Sequence, residues 1–299
     1  MRALAQYVMR GRLQAVSVVA VATVLSLILA PLSYVGAAGA GLVALRRGPQ
    51  EAGLVLAGAA LVAGAIAWLG LGSFVPVLAV LLTLWLPVVG LALLLRATAS
   101  QGLTLAIAGA LGVVAVLLAH LALDSPATWW REVLDTVVVP ALERQGMQVE
   151  PTALDQVAGM MTGLVASVMV VGLICSVLLA RWWQALLYNP GGFAEEFREL
   201  RLPRAAAVAA LAAFAASLLG GAPGALGTEL AMLGITVFMF QGLAVAHAVV
   251  ARLGASAGWL VGVYVLLFLF GPPAAMALGT AGVVDVWMDF RQRLGSRPD

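Results

Sequence analysis

The chain has 299 residues, 63% of them hydrophobic and only 10% charged, and its mean hydropathy is +1.06. No water-soluble domain of that length keeps so much apolar surface away from water, so the composition places the chain in a membrane. The net charge of +2 comes from arginines set singly or in small groups at the ends of apolar runs; a nucleic-acid footprint is a contiguous basic patch, and that class is excluded.

A hydrocarbon core of roughly 30 Å needs about 20 apolar helical residues to cross it. Arg2, Arg10 and Arg12 precede an apolar run over 13–30. The basic region is too long for a secretory signal, and many equally apolar runs follow. The run therefore reads as a first transmembrane helix with a cytoplasmic start. Further runs cover 32–45, 51–70, 74–95, 101–123, 152–180, 204–220, 228–251, 255–271 and 273–290. Pro31, Gly72 with Ser73, Gly221 to Gly227 and the Pro272–Pro273 pair then become outer turns. With the N-terminus inside, every arginine except Arg131 and Arg144 faces the cytoplasm, as the positive-inside rule requires. Arg12 and Arg46 must share a side, as must Arg252 and Arg291, so each pair brackets a hairpin.

The runs 32–45 and 273–290 are short and are expected as tilted or re-entrant pieces, tolerated where protein rather than lipid covers the backbone. The expected fold is all-α: one integral membrane domain over 1–299, a bundle of about eight to ten spans with both termini cytoplasmic, in the bacterial inner membrane. Ala205, Ala209, Ala213, Ser217 and Gly221 recur every fourth residue, as do Gly53 with Ala57 and Ala60 with Gly64. Such ladders are expected to let helix backbones approach closely. Cys175 lies inside a run and has no second cysteine to pair with, so it carries no information on redox compartment.

The outer loop, 124–150, holds the only sizeable extracytoplasmic element. Asp124 or Ser125 caps a helix with Pro126 in its first turn, and Trp129, Trp130, Val133, Leu134, Val137 and Val138 make one side apolar. That helix is expected on the outer interface, as a lid over a cavity or as a simple anchor. The cytoplasmic segment 181–204 reads RWWQALLYNPGGFAEEFRELRLPR. Trp182, Trp183 and Tyr188 are expected at the inner interface, and Asn189-Pro190-Gly191-Gly192 breaks the helix. Phe193, Phe197 and Leu200 then share a face, with Arg198 among the charges opposite. These four residues mark a surface for a membrane or cytoplasmic protein partner, or for lipid.

WWQALLYNPGGFAEEFR, together with Gln241-Gly242-Leu243, His247 and the closing GVVDVWMDFRQRL of 282–294, resembles the YybS-like family of membrane proteins of unknown function. That family is in turn similar to the substrate-capturing membrane components of energy-coupling-factor vitamin importers, which have about six helices and bind a small nutrient near the outer face. The resemblance implies capture of a small molecule with help from an energising partner. This chain has more spans than those components and aligns no ligand residue with them, so no family site carries over.

Ionisable groups inside spans are the first candidates for function, because burial in hydrocarbon costs several kcal/mol unless they are paired or wet. His120 and Glu229 fall near outer helix ends, and Asp285 and His247 toward the cytoplasm. Gln241 is the deepest strongly polar side chain. Gln241, Glu229, His120 and Asp285 are the candidate ligand residues; the alternative makes Gln241 interhelical glue and leaves the others at the interfaces. Asp289 is expected to pair with Arg293 at a spacing of four. Gly254-Ala255-Ser256-Ala257-Gly258 matches GxSxG by letter, but no strand precedes it and Ser256 falls at a turn, where capping the next helix is the better account. No HExxH, P-loop, cysteine cluster or dinucleotide fingerprint occurs. The expected protein is therefore not an enzyme, holds neither cofactor nor metal, meets no nucleic acid, and contacts the lipid bilayer. Capture or transport of a small molecule is the leading function, with a non-catalytic scaffold docking partners through 181–204 as the alternative.

Overall fold

The computed structural model describes residues 1–147 and 149–293; Gln148 of the outer loop, Leu294 of the closing motif and Arg297 lie outside the described residues. In chain order the helices are α1 (Arg2–Arg10), α2 (Arg12–Leu25), α3 (Leu32–Arg47), α4 (Pro49–Leu71), α5 (Val75–Val80), α6 (Leu86–Thr98), α7 (Gln101–Ala122), α8 (Pro126–Val133) and α9 (Val139–Glu143). They continue with α10 (Pro151–Tyr188), α11 (Gly192–Arg198), α12 (Arg204–Ser217), α13 (Gly221–Arg252), α14 (Gly258–Met288) and α15 (Phe290–Arg293). Every apolar run carries a helix, and no strand occurs among the described residues. Six segments among the described residues are long and apolar enough to cross a membrane: α4, the continuous Val75–Thr98, α7, α10, α13 and α14. The chain is an all-α polytopic membrane protein.

The helices form two compact units, one of Met1–Ala108 with Val171–Leu200, the other of Gly109–Val170 with the described chain from Arg201. At the centre of the first unit stands α3, in which every residue from Gly36 to Leu45 is buried. The sequence GAAGAGLVAL explains this: with almost no side chains on most of its circumference, neighbouring backbones come close. A Cβ on Gly36 would lie 3.2 Å from the Val19 carbonyl, and one on Gly41 would lie 3.1 Å from Ala180 and 3.3 Å from Val88. Gly172 leaves room for the ring of Tyr34. The short run 32–45 is thus covered by protein, the condition under which its length is harmless.

On α4 the buried stripe is Ala52, Val55, Ala59, Ala63 and Ala67, while Gly53 and Ala57 are exposed. This corrects the expected ladder: alanine is so frequent that several four-residue ladders coexist, and packing selects among them. The same holds on α12, where Ala205 and Ala209 are exposed and contact runs through Ala210, which seats Gly234, and through Ala216 and Ser217, which seat Gly227. Nor is Gly221 to Gly227 an outer turn. Gly220 is extended, α13 starts at Gly221, and Gly224 and Gly227 press directly on the backbone of Leu219 and Ser217.

The arginines of the first unit gather at one end, as their placement in sequence requires. Arg12 forks onto Glu51 at 2.9 and 2.5 Å, Arg47 donates to the Met9 carbonyl at 2.6 Å, and Arg96 to the Ala44 carbonyl at 3.3 Å. Arg46 lies 4.3 Å over the ring of Tyr188, and Arg181 forks onto Glu196, which also accepts from Gln101. At the same end α1 is a separate helix, with Ala5 and Val8 inward and Arg2 and Arg10 outward. Arg2 and Arg10 thus belong to an amphipathic element of their own, while Arg12 opens α2.

Both π turns precede a proline by the same offset: Leu81–Trp85 before Pro87, and Leu134–Val138 before Pro140. Proline lacks the N–H for the usual helical bond and its ring crowds the carbonyl four residues back; a widened turn accommodates both defects.

In the second unit, α13 and α14 pack most closely. Gly279 meets Ile235, Gly282 meets Phe238, and Asp285 meets Gln241, so residue numbers rise together along this contact and the strands of helix run parallel. Tyr264, by contrast, meets His247 just across the turn that follows α13, which makes the first arm antiparallel. The chain therefore reverses at Gly271, whose φ of 40° and ψ of −108° break the helix. The arms 258–270 and 272–288 are roughly 20 and 25 Å long, less than the hydrocarbon core. Pro272 and Pro273 open the second arm, removing two N–H donors where a buried helix start has no water to satisfy them. The 255–271 and 273–290 runs are thus the arms of a hairpin, with Ser256 accepting from Gly258 N–H at 3.2 Å at its base.

A Cβ at Gly242 or Gly282 falls far inside van der Waals contact with the Leu278 and Phe238 carbonyls, whereas at Gly262 nothing lies within 4 Å. Gly242→Ala and Gly282→Ala are expected to cost about 1–3 kcal/mol each, read as a lowered thermal midpoint in detergent, with Gly262→Ala neutral or slightly stabilising. In a Cys175→Ala background, Phe270→Cys is expected to resist a membrane-impermeant maleimide from both sides; labelling from the face opposite to a Gly254→Cys control would show that the hairpin crosses fully.

Candidate functional site

Gln241 and Asp285 are brought together, and so are Glu229 and His120. These are two places, since the 12 residues from 229 to 241 span about 18 Å of α13. At the first, the Oε1 of Gln241 accepts the Leu202 backbone N–H at 2.8 Å and its Nε2 donates to Asp285 Oδ2 at 3.0 Å. Asp285 also accepts from the Arg291 guanidinium, and through Oδ1 from the Phe290 N–H at 3.1 Å. The ion pair is closed to water, with both side chains 2% exposed.

Arg291 and the Leu202 N–H are the members that sequence alone missed. Asp285 and Arg291 are six apart, a spacing at which helical side chains do not meet. They meet because Asp289, with φ of 43°, ends α14 and turns the chain back. Asp289 itself pairs with Arg201, at 2.7 and 3.0 Å, a partner 88 residues away that helical spacing does not predict. The extended stretch before α12 is thus held twice, at Arg201 and at Leu202. Held by hydrogen bonds among Gln241, Asp285, Arg291 and the Leu202 and Phe290 N–H groups, this cluster is glue, which is the structural reading of Gln241.

The second place differs. Glu229, on the first turns of α13, is buried, and its Oε2 lies 2.8 Å from Nε2 of His120, whose side chain is 31% exposed. Gly163 on α10 makes the fit possible, because a Cβ there would stand 2.7 Å from the Glu229 Cα. One residue earlier, Thr162 accepts the Trp130 indole N–H at 3.0 Å. This contact fixes the helix of the outer loop. Ser125 caps α8 through the Thr128 N–H, Leu134 packs with Leu154 and Ala158 of α10, and Arg131 bridges Asp155 and Asp135. Trp129 stays exposed. The loop helix widens at its π turn and lies against the same part of α10 that meets Glu229.

The 181–204 face is closed rather than open. The helix breaks after Tyr188 and restarts at Gly192, as expected, but Phe197 and Leu200 are buried and Phe193 stacks on Phe197 at 6.0 Å. Arg198 donates to the Ala194 carbonyl at 2.9 Å. Trp183 is fully buried in place of the interface expected for it. Around α11, what is presented outward is Ala194, Glu195 and Glu199.

A cavity of about 160 Å³ in the first unit is lined by apolar groups of α2 and the turn after it, α4 and α5, among them Val24, Leu27, Ala63, Ile66 and Val77. Its one hydroxyl, on Thr23, is spent on the Val19 carbonyl at 2.8 Å. It suits an apolar chain and offers nothing to orient a polar ligand. No protein-family model, curated protein or solved structure matches the chain.

Removing one member of a buried ion pair strands the other, so Asp285→Ala is expected to cost about 3–5 kcal/mol, and Asp285→Leu with Arg291→Met to recover most of it; thermal midpoints in detergent decide. The hydrogen bonds from Arg201 hold the Asp289 carboxyl below the ordinary carboxylate range. The pair's contribution is therefore complete above an unfolded carboxyl pKa of about 3.9 and lost as pH falls through the lowered folded value. Comparing midpoints with Asp289→Asn across that acid range, the difference is expected to be constant at higher pH and to shrink below it.

Proposed function

We propose that this chain is a non-enzymatic protein of the bacterial inner membrane that captures a small molecule for transport, receiving it at the Glu229–His120 end of the second unit. The observation that carries this reading is a buried carboxylate whose partner is a half-exposed histidine. Intramembrane ionisable residues mark ligand and ion pathways unless the chain closes them off. Asp285 is closed off; Glu229 is not. The anchoring of the loop helix through Trp130 to the neighbouring residue of α10 supports a covering role at that end.

The positive-inside pattern supports a cytoplasmic location for the arginine-rich ends, which puts Glu229 toward the outside. Kinship with the YybS-like membrane proteins belongs to the same proposal and draws its support from the string WWQALLYNPGGFAEEFR. An energising partner would meet the exposed Glu195 and Glu199 side of α11, since the aromatic side is already packed.

Native mass spectrometry of the purified protein tests the reading. A small molecule is expected to accompany the wild type and to be lost from Glu229→Gln. Protein that is empty in every preparation, with no transport defect on deletion, would overturn it.

A further inference from the structure

The geometry points to a protonated amine as the ligand of the second unit, seated on Glu229 in place of the His120 imidazole; this rests on the capture reading above and names the chemical class. Glu229 is acceptor-only when ionised, and its single hydrogen bond among the described residues runs from Oε2 to His120. A carboxylate in an apolar stretch such as GTELAMLGITVF is costly to leave without a donor.

The occupant follows from the donor set. An anion would meet the carboxylate's own charge. A metal ion takes four or more ligands, and no group of three His, Cys, Asp or Glu side chains stands together among the described residues. An ammonium needs acceptors only, and two carboxylate oxygens supply them in charge-assisted bonds. Gly163 presses the α10 backbone against Cα and Cβ of Glu229, closing that flank. Access is on the side of His120, the exposed member of the pair. An incoming R–NH3+ displaces the imidazole, which swings to water with whatever proton it holds, and the carboxylate keeps a donor throughout.

The test uses the full chain in nanodiscs with isotope-labelled histidine. Only His120 and His247 are present, so one His247→Asn variant assigns both imidazole signals. Methylammonium chloride is expected to shift the His120 signal saturably. Tetramethylammonium chloride, with the same charge and no N–H, is expected not to. Glu229→Gln should weaken the response by roughly tenfold or more. Should that variant fail to fold, His120→Gln keeps a neutral donor, and methylammonium should raise its thermal midpoint more than tetramethylammonium does. Equal, non-saturating responses to the two salts would overturn the amine. A neutral or anionic molecule retained in the native spectrum, moving the His120 signal where methylammonium does not, would overturn the amine while leaving capture standing. A methylammonium response from protein that is otherwise always empty would support the site and remove the capture reading.

Discussion

Close backbone approach at glycine is the contact on which the packing of both units rests. Lipid tails are as apolar as leucine, so helices in a bilayer gain little by hiding apolar side chains from their surroundings; they associate where van der Waals surfaces interlock. Gly36 and Gly41 let α2, α6 and α10 close around α3. Gly242, Gly279 and Gly282 bring the second arm of the hairpin onto α13. The polar chemistry depends on the same contacts. Gln241 reaches Asp285 because Gly242 and Gly282, their sequence neighbours, permit the helices to touch. Glu229 is buried because Gly163 offers no side chain to hold α10 away.

The two polar places obey one rule with opposite outcomes. In a medium without water each buried donor or acceptor must find a partner in the chain, and a charge must find an opposite charge. Asp285 finds a guanidinium, an amide side chain and a backbone N–H. Glu229 finds one imidazole that is itself partly wet. A carboxylate paired and buried together with its partner fixes a fold. Glu229, held by one imidazole that is itself partly exposed, is the carboxylate a further donor can reach, which is why the functional reading rests on Glu229 and leaves Gln241 to architecture.

The helical class, the position of every apolar run, the shared side of Arg12 and Arg46 and the break at Asn189-Pro190-Gly191-Gly192 were legible because each depends on composition or on local chemistry over a few residues. Which small-residue ladder makes contact was not. Ala205 with Ala209 and Gly53 with Ala57 have the right spacing, but in an alanine-rich helix spacing recurs on several faces, and the volume of distant neighbours such as Val16 against Gly58 decides. The Asp285–Arg291 pair was hidden for another reason. Helical periodicity predicts partners at three or four residues, and this pair forms only because Asp289 adopts a left-handed conformation that folds the chain back on itself. Phe197 and Leu200 were correctly placed on one face, yet a face is amphipathic whether it meets lipid, a partner or its own protein.

The hairpin of α14 shows how far backbone satisfaction governs this architecture. A chain that reverses between two apolar helices exposes the carbonyls ending one helix and the N–H groups starting the next. Here Gly271 supplies the reversal, and Pro272 with Pro273 follow at once, so two of the exposed donors do not exist. The first arm carries almost no buried residue, with Trp259 and Phe268 strongly exposed, while the second is wedged against α13 through Gly279, Gly282 and Asp285. The lipid-facing arm therefore contributes little packing of its own. It delivers the second arm in parallel register, and that register alone sets Asp285 beside Gln241.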